Sequence, residues 1–186
     1  MKIQRDSSLA DLARIVSATL SEHGILAVLT GGACASLYTR GGYLSSDLDF
    51  VIGDVSQRDL DRAMHTIEFK RTAQVYRHSE TEFFVEFLSG PLGIGRDLDI
   101  KPISWPGKPP LRMLSATDSC RDRLAAFYFW DDRQSLRVAV QIAARHPLDL
   151  EIIRSWSEEE SNLPRFQEFL AEVRRLPRKR PKSSRK

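Results

Sequence analysis

Apolar residues recur at helical spacing early in the chain: Leu9, Leu12, Ile15, Val16 and Leu20 follow Ser7 or Ser8. This predicts an amphipathic first helix over residues 8–22, ended by Gly24. Residues 25–30 (Ile-Leu-Ala-Val-Leu-Thr) form a short continuous apolar run, Gly31-Gly32 follows at once, and 33–39 suits a short helix, so the order reads strand, glycine turn, helix. A second strand is expected over 47–52. A second amphipathic helix is expected over 56–69, capped by Ser56 and carrying Leu60, Met64 and Ile67 along one side. Residues 71–78 and 83–88 read as two strands joined by a polar hairpin at 78–82, and 97–103 as another strand. Pro106, Pro109 and Pro110 then mark a loop. From Thr117 onward the spacing turns helical, with apolar stripes that call for three or four helices. Strands followed by helices point to an α+β fold rather than a doubly wound sheet.

Composition sets the class. The chain has 186 residues, 41% of them hydrophobic and 28% charged, which suits a soluble globular domain with an appendage. No apolar run approaches the roughly 20 residues needed to span a bilayer, and the start lacks the features of a signal peptide, so a cytoplasmic protein with no membrane partner is expected. Cys34 and Cys120 stand far apart and neither belongs to a CxxC, which leaves buried free thiols as their expected state. Charge is unevenly placed: residues 174–186 hold eight Lys or Arg and no acid, so against a net +3 overall the remaining body stands at −5. Such a tail has little to bury and is expected to be disordered, serving either as a solubilising extension or as a contact for nucleic-acid phosphates.

The most informative chemistry lies between Gly31-Gly32 and Asp47-Leu48-Asp49, separated by fourteen residues. Side chains alternate along a strand, so Asp47 and Asp49 share one face while Leu48, Phe50 and Ile52 turn to the core. Two neighbouring carboxylates repel each other unless a divalent cation lies between them, and hard oxygen ligands suit Mg²⁺; the alternative is an exposed strand face with solvated acids. Glycines at a strand end bring backbone close to a ligand, and the helix start behind them offers N–H groups to an anion. Glu86 is a lone acid in the apolar strand Phe83–Leu88, expected beside the first pair; its alternative is an outward acid on an edge strand.

With these residues in view, the chain resembles the DNA polymerase β-like nucleotidyltransferase superfamily, whose pattern is Gly-Gly or Gly-Ser, a spacer, Asp-x-Asp on a strand and a third carboxylate on a later strand. Thr30-Gly31-Gly32-Ala33 with Ser45-Ser46-Asp47-Leu48-Asp49-Phe50 is most similar to the bacterial AbiEii-type toxins of type IV toxin–antitoxin systems, the likeness covering residues 25 to about 103. It implies a small mixed sheet flanked by helices over residues 1–115 and a C-terminal helical segment over 116–173, which the basic tail read from its charge follows over 174–186. It also implies attack of an acceptor hydroxyl on the α-phosphorus of a nucleoside triphosphate, assisted by two Mg²⁺ ions about 3.5–4 Å apart. Asp47 and Asp49 would bridge the metals, Glu86 would complete the nucleophile-side set, and Gly31, Gly32 and Ser46 would contact phosphates. Where the toxin relatives carry a triphosphate-binding lysine, this chain offers Arg121 and Arg123, of which Arg123 is the candidate. Implied partners are the nucleoside triphosphate, an RNA such as tRNA and an antitoxin protein. A protein or antibiotic-like acceptor, or a non-catalytic module that binds nucleic acid or a partner, are the alternatives.

Other features carry less. Asp97-Leu98-Asp99 repeats the Asp-x-Asp form without a helix between it and Gly93-x-Gly95 and is expected as a solvated strand start. No P-loop sequence occurs, the four histidines show no i, i+4 pairing, and Trp130 and Trp156 are expected in the core.

Overall fold

A computed structural model of the protein describes residues 2–176. Helix α1 (Leu9–Glu22) starts at Ser8, whose side chain accepts from the Asp11 N–H while Asp11 returns a bond to the Ser8 N–H, a capping box. Strand β1 (Ala27–Leu29) leads directly into α2 (Gly31–Thr39), which is buried on nearly every side because its residues are small or apolar all round. The helix thus begins at the glycine pair itself, two residues earlier than the sequence pattern places it.

Strand β2 (Asp47–Ile52) alternates as expected, with Leu48, Phe50 and Ile52 buried and Asp47, Asp49 and Val51 half-buried on the other face. Helix α3 (Gln57–His65) packs Leu60, Ala63 and Met64 inward. The stretch read as one strand over 71–78 is a tight hairpin, β3 (Lys70–Thr72) and β4 (Val75–Arg77), in which Thr72 pairs with Val75 across Ala73-Gln74. Ala73 takes a positive φ of 56° there, a turn that no Asn-Gly or Asp-Gly announces. Strand β5 (Phe84–Ser89) lies between β2 and β4, so Glu86 is on an interior strand and the edge-strand alternative falls away.

Residues 97–102 are not a strand; one isolated bridge, Ile94 to Asp97, is all the pairing there. The pairing moves to β6 (Ile103–Trp105) and β7 (Leu111–Met113), which flank the proline loop as an antiparallel pair. Three-residue strands are too short to show a period, which hides them from pattern reading. The seven strands run β3-β4-β5-β2-β1-β7-β6, with β2–β5 and β1–β7 parallel and the other neighbours antiparallel.

Four helices close the described chain: α4 (Ala116–Trp130), α5 (Arg133–Ala143), α6 (Leu150–Glu159) and α7 (Leu163–Arg175). One hydrophobic cluster runs from Leu12 and Phe50 through Met113 to Phe127, Ile153 and Phe169, so sheet and terminal helices share a core. Trp156 is buried and donates its Nε1–H to the Ile94 carbonyl at 3.0 Å, whereas Trp130, at the last turn of α4, is 77% exposed and corrects the expectation of a core residue. Cys34 and Cys120 are buried free thiols. Arg174 and Arg175 belong to the last turn of α7 rather than to a separate tail, and residues 177–186 lie outside the described residues.

Candidate active site

The parallel register of β2 and β5 sets Asp47 opposite Phe84 and Asp49 opposite Glu86. Paired residues of adjacent strands point to the same side, so Asp47, Asp49 and Glu86 occupy one face, away from Leu48, Phe50 and Val85. The site lies at the C-terminal end of β1 and the start of α2. There the Thr30 N–H donates to the Asp49 carbonyl at 2.9 Å and ties the glycine turn to β2.

The glycine pair is held close to these side chains. Gly31 has a φ of +61°, and a Cβ built on it would fall inside the van der Waals surface of Asp49 Oδ2. A Cβ on Gly32 would meet Ser45 Oγ and crowd the Tyr43 hydroxyl. Ser45 donates to Asp47 Oδ1 at 2.5 Å. Its loop is anchored to α2, with Ser36 Oγ donating to the Tyr43 carbonyl at 2.8 Å and the Tyr43 N–H to Thr39 Oγ1 at 3.2 Å. Ser46 is exposed, and its backbone carbonyl accepts from the Phe84 N–H at 3.4 Å, starting the β2–β5 ladder.

Burial, reinforced by the neighbouring Asp47, Glu86 and Asp122 carboxylates, pushes the Asp49 carboxyl up to about 6, with Arg123 opposing the shift. Arg123 lies in α4, its side chain 17% exposed, and donates from Nη2 to Asp122 Oδ2 at 2.7 Å. Burial weighs against its charge, but Asp122, Tyr43 and Asp49 together hold it above its ordinary value. It is therefore a cation fixed by Asp122, near enough to Asp49 for the two charges to act on each other. Arg121 is not: it is 3% exposed, bonds Asp97 at 2.5 Å and Asp118 at 3.0 Å, and lies 5.2 Å from the Trp156 ring. Asp97 is accordingly the partner of a buried arginine and not a solvated strand start.

The donor set is hard oxygen, and the neighbouring carboxylates help to raise the proton affinity of Asp49, which a divalent cation would reverse; in that respect the residues fit Mg²⁺. Among the described residues no three metal-ligating side chains are already gathered around one point, so closing on an ion requires side-chain rotation. A cleft of about 810 Å³ opens beside Asp47, at the starts of β2 and β5, lined by Leu44, Ser45, Ser46, Thr81, Glu82 and Phe83.

Ser45, Tyr43 and Asp122 are the neighbours that pattern reading passed over. For Ser45 the signal was present, since positions 45, 47 and 49 share a parity that one further step of the alternation would have included. Asp122 and Tyr43 are brought in by tertiary packing and leave no local mark.

No family model matches the chain, and no curated protein matches it. Among solved structures it is similar to an antigenic nucleotidyltransferase-like protein from Paracoccidioides brasiliensis, at 15% sequence identity, covering 88% of this chain and 92% of that one, with a TM-score of 0.59. It is also similar to the antibiotic-resistance factor ANT(2'')-Ia, at 11% identity, covering 86% of this chain and 96% of that one, with a TM-score of 0.47. The first likeness shows the fold: an α+β mixed sheet flanked by helices, of the kind found in a nucleotidyltransferase-like protein. No helix among the described residues is long and apolar enough to cross a membrane.

Proposed function

We propose that the protein is a Mg²⁺-dependent nucleotidyltransferase that transfers a nucleoside monophosphate from a nucleoside triphosphate to a hydroxyl group of an RNA acceptor. The observation that carries the reading is the Asp47, Asp49 and Glu86 face at the foot of the Gly31-Gly32 turn. An acceptor oxygen bonds to the α-phosphorus, the bond from that phosphorus to the bridging oxygen of the β-phosphate breaks, and pyrophosphate leaves. Glu86 receives the hydroxyl proton. When bound, divalent metal ions supply charge neutralisation to the attacking and leaving oxygens. Asp47 and Asp49 hold those ions, Ser45 fixes the Asp47 carboxylate, and the backbone at Gly31 and Gly32 lets the phosphates approach the start of α2. Arg123, locked by Asp122, faces the triphosphate charge.

Within this class the toxin-like version is supported by the motif likeness over residues 25–103: a cytoplasmic enzyme acting on an RNA such as tRNA and restrained by an antitoxin protein. The test is incubation of the purified protein with each α-³²P-labelled nucleoside triphosphate, Mg²⁺ and total RNA, beside the Asp47→Ala/Asp49→Ala variant. Label in RNA from the native chain alone supports the reading. Label only in protein or a small molecule reassigns the acceptor, and no label with any nucleotide despite a folded chain overturns the enzyme.

A further inference from the structure

The face that carries the carboxylates does not end at β5. Asp47 pairs with Phe84, Phe84 with Arg77 and Arg77 with Lys70, so four residues on β2, β5, β4 and β3 form one row across the sheet. Adjacent strands are about 4.8 Å apart, which makes the row roughly 14 Å long at the backbone. Arg77 and Phe84 extend to the same side, because the Arg77 guanidinium carbon lies 4.9 Å from the Phe84 ring centroid. The opposite face of these strands is occupied: buried Tyr76 donates its hydroxyl to Asp61 of α3 at 2.5 Å. Helix α3 therefore packs on the other side from Arg77.

Three chemical characters follow one another along this row. Acids stand at the reacting end, a half-buried aromatic ring comes next, and two exposed cations lie at the far end. Among the described residues neither Arg77 nor Lys70 has a carboxylate within ion-pair distance, whereas Arg71, one position on, is paired with Asp61 on the α3 side. The cleft at the starts of β2 and β5 is lined by Arg5, Glu80 and Glu82; Arg5 is paired with Glu80 at 3.2 Å, so among the described residues the lining offers phosphates no unpaired cation and leaves Glu82 without a counter-charge. A ligand that is hydroxyl-bearing at one end, flat and apolar next, and anionic beyond matches the row, and the end of a single-stranded polynucleotide has that order.

We propose that this row is the acceptor track: the 3′ end of a single-stranded RNA lies across β5, β4 and β3, with its terminal ribose at Asp47 and Asp49, a base on Phe84 and upstream phosphates on Arg77 and Lys70. The choice of RNA and the placing of its reactive end rest on the nucleotidyltransferase reading above; the track itself rests on the sheet register.

The test is fluorescence anisotropy of the full chain with a fluorescein-labelled single-stranded RNA of about a dozen nucleotides, in EDTA and without nucleoside triphosphate, so that binding is read apart from chemistry. Arg77→Glu/Lys70→Glu should weaken binding about tenfold or more and flatten the dependence of log affinity on log salt by about 1.4, two phosphate contacts at 0.7 each. Phe84→Ala should weaken it about fivefold or more through lost stacking. Arg58→Glu/Arg62→Glu, an equal change of charge on α3, should leave affinity within about twofold. The track is overturned if the native chain does not bind the RNA, or if Arg77→Glu/Lys70→Glu loses no more than Arg58→Glu/Arg62→Glu. Tighter binding of DNA of the same sequence overturns the RNA assignment. Binding that responds as described in a chain that transfers no label sinks the enzyme reading and leaves the track standing.

Discussion

Gly31 and Asp49 are in such close approach that a single added methyl group at the first would collide with the carboxylate of the second. The position combines two demands, a φ of +61° and the absence of a side chain, and only glycine meets both. Gly31→Ala should therefore displace Asp49 and lower nucleotidyl transfer more than about 100-fold, with a stability cost of about 1–3 kcal/mol. Gly41→Ala is the comparison: Gly41 has a φ of +78° with nothing near its missing Cβ, so it bears the backbone cost alone, about 1 kcal/mol, and keeps its activity. Initial rates and urea midpoints on both variants separate collision from backbone strain. Equal loss of activity in the two would refute a steric role for Gly31.

Ser45→Ala removes the donor that bonds Asp47 at 2.5 Å while leaving the fold and all three acids in place. The expected result is a fall of roughly tenfold in transfer at low Mg²⁺, recovered in part at high Mg²⁺, with a thermal midpoint within a few degrees of the native value. Ser21→Ala, on an exposed turn of α1, should change neither. Magnesium titrations of the rate for both variants decide between them.

The elements near the site were the most legible in the sequence. The alternation of Asp47–Ile52 survives intact because one of its faces is core and the other is not, which is the condition under which a period of two can be read. Gly31-Gly32 was visible as a turn, but its use, contact with Asp49 and Ser45, is a long-range fact of packing. The β3–β4 turn and the short strands β6 and β7 were hidden because tertiary pairing, not local propensity, holds them. Arg121 and Arg123 show the limit most clearly. Two residues apart on one helix and identical in type, they go to different ends: Arg121 to Asp97, Asp118 and Trp156, Arg123 to Asp122 and the neighbourhood of Asp49.

The buried position of Arg121 gives a stability prediction independent of any activity. Its guanidinium pins residue 97 to α4 while Trp156 holds the carbonyl of Ile94, and the Arg96 N–H donates to the buried Glu160 at 2.5 Å, so the 94–97 loop is fastened to the terminal helices at three points. Arg121→Ala leaves Asp97 and Asp118 without their counter-charge and should cost about 3–5 kcal/mol in urea unfolding. Arg121→Lys should rescue little of it, since one ammonium cannot keep the planar bonds to both acids. A loss below about 1 kcal/mol would mean that water reaches the pair.

Asp49 links the acids to pH. Its carboxyl stands at about 6 in the folded chain against an ordinary 3.8. Below the ordinary value both folded and unfolded chains are protonated there and no penalty exists. Between the two values the folded chain keeps a proton that the unfolded chain releases, so stability falls as pH rises through this window, and the full penalty remains above about 6. For a half-buried group it is on the order of 1–2 kcal/mol after solvent screening. In EDTA, Asp49→Asn should therefore match the native chain at pH 4 and exceed its thermal midpoint at pH 7.5 by a few degrees. A difference that is the same at both pH values would show that the charge of Asp49 carries no folding penalty.

That penalty also predicts how the metal should act. A cation held by Asp47 and Asp49 binds the folded chain and not the unfolded one, so it stabilises by mass action, and at a hundredfold excess over its dissociation constant the gain is about 2.7 kcal/mol. The same cation offsets the burial and the repulsion that together keep a proton on Asp49, so it competes with that proton. The rise in thermal midpoint on adding Mg²⁺ should accordingly be larger at pH 7.5 than at pH 4.5, and absent at both in Asp47→Asn. Differential scanning fluorimetry at the two pH values, with Mg²⁺ against an equal ionic strength of KCl, makes the measurement. A rise shared by the Asp47→Asn variant would place the ion elsewhere, and the absence of any rise in the native chain would remove the metal from the site and, with it, the metal-assisted transfer proposed for these three carboxylates.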